Sequence, residues 1–159
     1  MVALMIALAV AGLPLRPPAA APRCYPTNRF VVQSGGTVKD TLTSLVWQQD
    51  GSGTRAGCSG SGQLTCTWAE AQAYCSGLAL GGYSDWRLPT VKELSSIVDF
   101  TVAGPAINQT AFPSTPADRF WTSSPYAGSS RHACYVNFSY GDSHSFDVGY
   151  YIGRVRCVR

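Results

Sequence analysis

The side chains best suited to chemistry are six cysteines, Cys24, Cys58, Cys66, Cys75, Cys134 and Cys157, and two histidines, His132 and His144. Cysteine and histidine at short, regular spacing would make a zinc site. No C-x-x-C occurs, and both histidines stand apart from any suitable cysteine pair. A Ser-His-Asp set cannot be assembled from these two histidines, and the sequence has no G-x-S-x-G elbow. A glycine-rich phosphate loop is also missing. The acids fall mostly at cap and turn positions, and nothing in their spacing points to the paired carboxylates of a glycosidase. An even set of cysteines reads instead as a disulfide framework, with 15 possible pairings among six.

The N-terminus supports that compartment. Residues Met1 to Leu15 are nearly all apolar, yet fall short of the ~20 needed to cross a bilayer. Ala19-Ala20-Ala21 supplies a small-residue cleavage site, although no basic n-region precedes the apolar run. Residues 1–21 are therefore expected to be a signal peptide. Pro22 and Arg23 precede Cys24 where a lipid-modified cysteine would need small residues. The expected product, residues 22–159, is one secreted domain, extracellular, periplasmic or on the cell surface, with no integral membrane segment after cleavage. Twelve Lys and Arg, ten of them Arg and one of them Arg16 in the leader, stand against nine acids. The basic groups are dispersed, so nucleic acid is not an expected partner.

A second kind of chemistry lies in the C-terminal third. Five of the eight tyrosines fall between Tyr126 and Tyr151, among Ser, Gly and Asn. Rigid aromatic area beside adaptable hydrogen-bonding groups is the vocabulary of recognition surfaces. It also suits sugars, which stack on aromatic faces. The expected ligand-binding residues are Tyr126, Arg131, Tyr135, Asn137, Tyr140, His144, Tyr150, Tyr151 and Arg154. Of these, Tyr135, Asn137, Tyr140, Tyr150 and Tyr151 are expected to be partly exposed. The competing expectation is that these aromatics pack the sheet. If Arg154 and Arg156 share an outward face, they could hold sulfate or carboxylate groups. No cofactor is implied. Calcium is the one open question, with Asn137, Asp142 and Asp147 as the available oxygens.

Several elements must position these groups. Arg29–Gln33 and Thr37–Asp40 flank Ser34-Gly35-Gly36 and read as a hairpin, followed by a β-rich run at Leu45–Gln48. The Gly- and Ser-rich stretch from Asp50 to Gln63 reads as a surface loop. Two T-x-x-E capping boxes, at Thr67/Glu70 and Thr90/Glu93, open two helices. The first buries Trp68, Ala71, Tyr74, Cys75 and Leu78. The second runs to about Phe100. Between them, Asp85-Trp86-Arg87-Leu88-Pro89 forms a loop that Pro89 prevents from continuing as helix. Ile107 and Phe112 anchor the next loop. Strands are then expected at 120–124, 133–140, 145–148 and 152–158, with Cys134, Val136 and Phe138 on one face and Tyr135, Asn137 and Ser139 on the other.

This order predicts an α+β fold, two helices on antiparallel sheet. A Cys75–Cys157 bridge would tie the first helix to the last strand, and Cys58–Cys66 would staple the surface loop. Cys24–Cys134 follows by elimination.

Gly36-Thr37-Val38-Lys39-Asp40, Leu45-Val46-Trp47, Trp68-Ala69-Glu70-Ala71, Gly82 to Pro89, Lys92-Glu93-Leu94, Phe120 to Ser124, Tyr135 to Phe138 and Val155 to Arg159 occur in order. Together they resemble the bacterial domain of unknown function 1566, the Lcl C-terminal domain, over roughly residues 29–159. The resemblance implies a C-type-lectin-like fold related to that of the formylglycine-generating enzymes, stapled by a helix-to-last-strand disulfide. It implies a non-catalytic module for a glycan, sulfated glycans included, or a cell-surface protein. A self-assembling homo-oligomer is the alternative. A diverged enzyme is disfavoured, because Cys157 is better used in a structural bridge.

Overall fold

The computed structural model describes residue 26 and residues 28–150 and 152–159. Strands β1 (Phe30–Gln33) and β2 (Thr37–Asp40) form the expected hairpin, with Phe30 opposite Asp40 and Gln33 opposite Thr37. Its turn needs glycine twice, since Gly35 and Gly36 have φ of 81° and 75°. Gly35 also lies against backbone, and a Cβ there would sit 2.9 Å from the Cα of Gly81. β3 (Val46–Gln48) adds antiparallel to β2, completing a sheet of order β1-β2-β3. Arg29 clamps this sheet. Its guanidinium donates to both carboxylate oxygens of Asp40, and Nη1 donates to the Ser96 carbonyl at 2.9 Å.

Both capping boxes form. Helix α1 (Trp68–Ser76) is capped by Thr67 with Glu70, and α2 (Val91–Ser96) by Thr90 with Glu93. α2 stops at Ser96, short of the expected Phe100. The chain leaves the helix because the Asp99 N–H donates to the Ala106 carbonyl and Val98 pairs with Ile107, which keeps Ile97, Val98 and Ile107 buried.

Strands β4 (Arg119–Pro125), β5 (His132–Asn137) and β6 (Asp142–Asp147) form a second antiparallel sheet in that order. β5 ends before the expected Tyr140, because the chain turns over Phe138–Gly141 with Gly141 at φ 80°. β6 accordingly starts earlier than expected.

The segment after β6 is not a further meander strand. It runs between the two sheets and pairs piecewise with both. Arg154 pairs parallel with Phe120, Gly153 with Cys66, and Val158 with both Trp47 and Arg87. Cys75–Cys157 and Cys58–Cys66 are disulfide-bonded, with Cα separations of 5.5 and 4.6 Å. The expected signal peptide and Cys24 lie outside the described residues. Among the described residues Cys134 has no disulfide partner.

Two expectations about exposure fail here. Val155, Arg156, Cys157 and Val158 are all buried, because the tail has a layer on each side. The 50–63 loop is not wholly superficial either. Arg55 is buried and donates to the carbonyls of Asp50, Gly53, Thr54 and Val155, while its guanidinium lies 5.4 Å from the Tyr74 ring centre. One core cluster joins Val38, Trp47, Leu94, Ile97, Phe112, Phe120, Val136, Phe138 and Val158. The other joins both disulfides to Trp86, Leu88, Trp121, Tyr135 and Val155. The molecule is an α+β, disulfide-bearing domain. Among the described residues no helix is long and apolar enough to cross a membrane.

Candidate functional site

β5 is the middle strand of the second sheet, and both its faces are covered. Val136 belongs to the core cluster of Leu94 in α2 and Ile97 just after it, whereas Ala133 and Tyr135 belong to the cluster that holds Ala71 and Cys75 of α1. Tyr135 and Asn137, expected to be partly exposed, are therefore buried at 6% and 9% relative exposure. Asn137 also spends its side-chain oxygen accepting from the Ser139 N–H. Tyr135 instead forms a floor. His144 of β6 stands opposite it with ring centres 6.2 Å apart, Phe146 is 6.1 Å away, and the Arg119 guanidinium lies 5.7 Å from its centre.

The remaining residues separate into two patches. At the start of β5, Tyr126 meets His132 edge-on at 6.3 Å, and the Tyr126 N–H donates to the His132 carbonyl. Arg131 pairs with Asp147 at 3.0 Å, and the Tyr150 N–H donates to the Asp147 carbonyl, which brings Tyr150 to the same end. Tyr150 is 85% exposed. Beside this group Tyr126, Cys134, Ser143, His144 and Ser145 enclose a hollow of about 270 Å³. Burial raises the pKa of the Cys134 thiol, so it remains neutral. Cys134, Ser143 and Ser145 were not singled out as ligand contacts. Small polar residues at 143 and 145 were the only signal, and it needed the register that sets Cys134 opposite Ser145.

Tyr140 is 80% exposed but belongs to the far turn. It lies beyond Asn137, five residues along β5 from His132, or about 17 Å at strand rise. Its neighbour there is Phe100, whose ring lies against Gly141. Arg154 is held by Asp118 at 3.2 Å, at the start of β4. Tyr151 lies outside the described residues.

Arg154 and Arg156 do not share an outward face. The Arg156 guanidinium is fully buried, 4.7 Å from the centre of Phe112 and 5.6 Å from that of Phe120, and donates to Thr115 Oγ1. Burial and the nearby charge of Arg55 lower its pKa to about 9, so it is still charged at neutral pH. The expected calcium oxygens do not converge either. Asp142 faces Asn137, but Asp147 faces His132 at the opposite end of the hairpin.

The joint between the helices carries a two-bond ion pair. Arg87 donates through Nη1 and Nη2 to the two Glu93 carboxylate oxygens at 2.8 and 2.6 Å. These bonds, chiefly, bring the Glu93 carboxyl down to about 2. Trp86 is buried beneath and donates to the Leu80 and Tyr83 carbonyls.

Two antiparallel sheets, two box-capped helices and a disulfide from α1 to the tail define the class. The model of the Lcl C-terminal domain matches residues 36–159, from the β1–β2 turn to the last residue, and the chain belongs to that family. No curated protein matches the chain.

Proposed function

We propose that this chain is a secreted, non-catalytic module of C-type-lectin-like fold that binds a glycan or a cell-surface protein through the meander of residues 120–158. The observation that carries the reading is the end of the β5–β6 hairpin. There exposed Tyr126 and His144 line a polar hollow with Cys134, Ser143 and Ser145, and exposed Arg131 and Tyr150 meet Asp147 at the same end of the hairpin. Aromatic faces beside hydroxyls and a cation offer sugars both stacking and hydrogen bonds. The disulfides suit an oxidising compartment, and residues 1–21 fit a signal peptide. Cys157 is consumed by Cys75 and the Cys134 thiol is neutral, which speaks against the cysteine-pair chemistry of formylglycine-generating enzymes. A glycan array and a surface-protein pull-down, each with and without calcium, test the reading. Binding that Tyr126→Ala and His144→Ala abolish is the expected result. The absence of any ligand, or binding untouched by both substitutions, refutes it.

A self-assembling module is the second reading. It rests on the opposite end of the hairpin, where Phe100 and Tyr140 are 73% and 80% exposed beside the Gly141 turn. Ordered oligomers without ligand on size exclusion, lost in Phe100→Ser, would favour it.

A further inference from the structure

A second cavity, of about 500 Å³, lies away from the hairpin hollow. Gln72, Ala73 and Ser76 of α1 form one wall, and Arg87, Leu88, Thr90 and Ser123 complete it. Each part is fixed by local bonding. Thr90 is locked in its capping box, and the Ser123 N–H donates to the Pro89 carbonyl at 2.7 Å. Ser123 lies in the irregular stretch of β4, where register with β5 shifts between Trp121 and Pro125. Such bulges re-aim a side chain out of the pleat. Neighbouring bonds pin it: Trp68 Nε1 donates to the Thr122 carbonyl, and the Val91 N–H donates to Ser124 Oγ.

The hydrogen-bonding capacity left over defines the ligand. The side chains of Gln72 and Ser123 and the Nε of Arg87 have no partner among the described residues, whereas Arg87 Nη1 and Nη2 are committed to Glu93. The charge of Arg87 is thus matched, and no other lining residue is charged. Ser76 ends α1, where unpaired carbonyls disfavour an anion. The exposed Ala73 methyl group and the accessible edge of Leu88 give the cleft an aliphatic side. Unspent donors and acceptors, an aliphatic side and no net charge suit a compact molecule with hydroxyls at its edge and C–H groups on its face. We propose that this cleft binds a neutral saccharide unit, at a site separate from the hairpin hollow and independent of its role.

The test is an amide-resolved NMR titration of the full chain with a panel of neutral methyl glycosides. Gln72→Leu removes the amide from an exposed helix position, and Ser123→Trp fills the cleft while keeping its backbone bond. The expected result is shifts concentrated at residues 72–76, 87–88 and 123. Binding should weaken about three- to tenfold in Gln72→Leu, vanish in Ser123→Trp and be unchanged in Tyr126→Ala. The proposal is overturned by no shifts up to about 100 mM glycoside, weaker than any useful site. Shifts that map to Tyr126 and His144 overturn it too, as does equal binding by a folded Ser123→Trp protein. The first outcome leaves recognition at the hairpin standing, and loss of hairpin binding leaves this cleft standing.

Discussion

Replacing Cys75 and Cys157 together by alanine should cost far more stability than replacing Cys58 and Cys66. The two bridges span sequence separations of 82 and 8 residues. In the chain-entropy model, closing loops of those lengths restricts the unfolded chain by about 4.5 and about 2.5 kcal/mol at 25 °C. All four cysteines are buried, so the packing lost with the sulfurs is similar, and the difference of about 2 kcal/mol isolates loop length. A domain of this size has about 5–15 kcal/mol in total, so losing the long bridge removes a large share. The assay is equilibrium urea unfolding of the oxidised proteins, read by tryptophan fluorescence. The slope m should rise more in the Cys75/Cys157 variant, because its unfolded chain is released to expand and exposes more surface. Equal losses in the two variants, or a larger loss without Cys58–Cys66, would refute the reasoning. Either result would mean that native contacts, and not the restricted unfolded chain, carry the stabilisation.

Two further predictions follow from charge. The Glu93 carboxyl titrates at about 2 in the fold, against ~4.3 in an unfolded chain, so its contribution is complete above the unfolded value and is lost as pH falls towards 2. Acid unfolding of Glu93→Gln should therefore show a shallower loss over that window; a limb identical to wild type would contradict the Arg87–Glu93 assignment. Arg156 is fully buried, with Nε and Nη1 lacking a hydrogen-bond partner among the described residues. Arg156→Met should thus stay within ~1.5 kcal/mol of wild type or exceed it, while Arg156→Ala should lose about 3 kcal/mol to a cavity. Thermal melts showing the two variants equally destabilised would mean that the charge itself holds this region.

What could be read from the chain alone was what depends on residues close in sequence. A threonine oxygen and a glutamate three positions later meet within one turn of backbone, so both capping boxes were legible, as was Pro89 ahead of α2. The β1–β2 hairpin announced itself through the glycines its turn requires. The expected Cys75–Cys157 and Cys58–Cys66 bridges both form, although element order alone leaves 15 pairings of six cysteines open.

Which face of a strand meets water is a different kind of fact. Period-two alternation marks a sheet with one wet face, yet β5 has α2 on one side and the α1 cluster on the other. Tyr135 and Asn137 went inside with Val136. The same holds for the tail, where pairing with β3, β4 and the Arg87 loop buried Arg156 between two phenylalanines. The composition of residues 126–151 named the aromatic groups, but the length of one hairpin divided them, sending Tyr126 and Tyr140 to opposite ends. Layers that arrive from distant sequence leave no periodic trace in the strand they cover, and so burial here was decided only when the chain closed on itself.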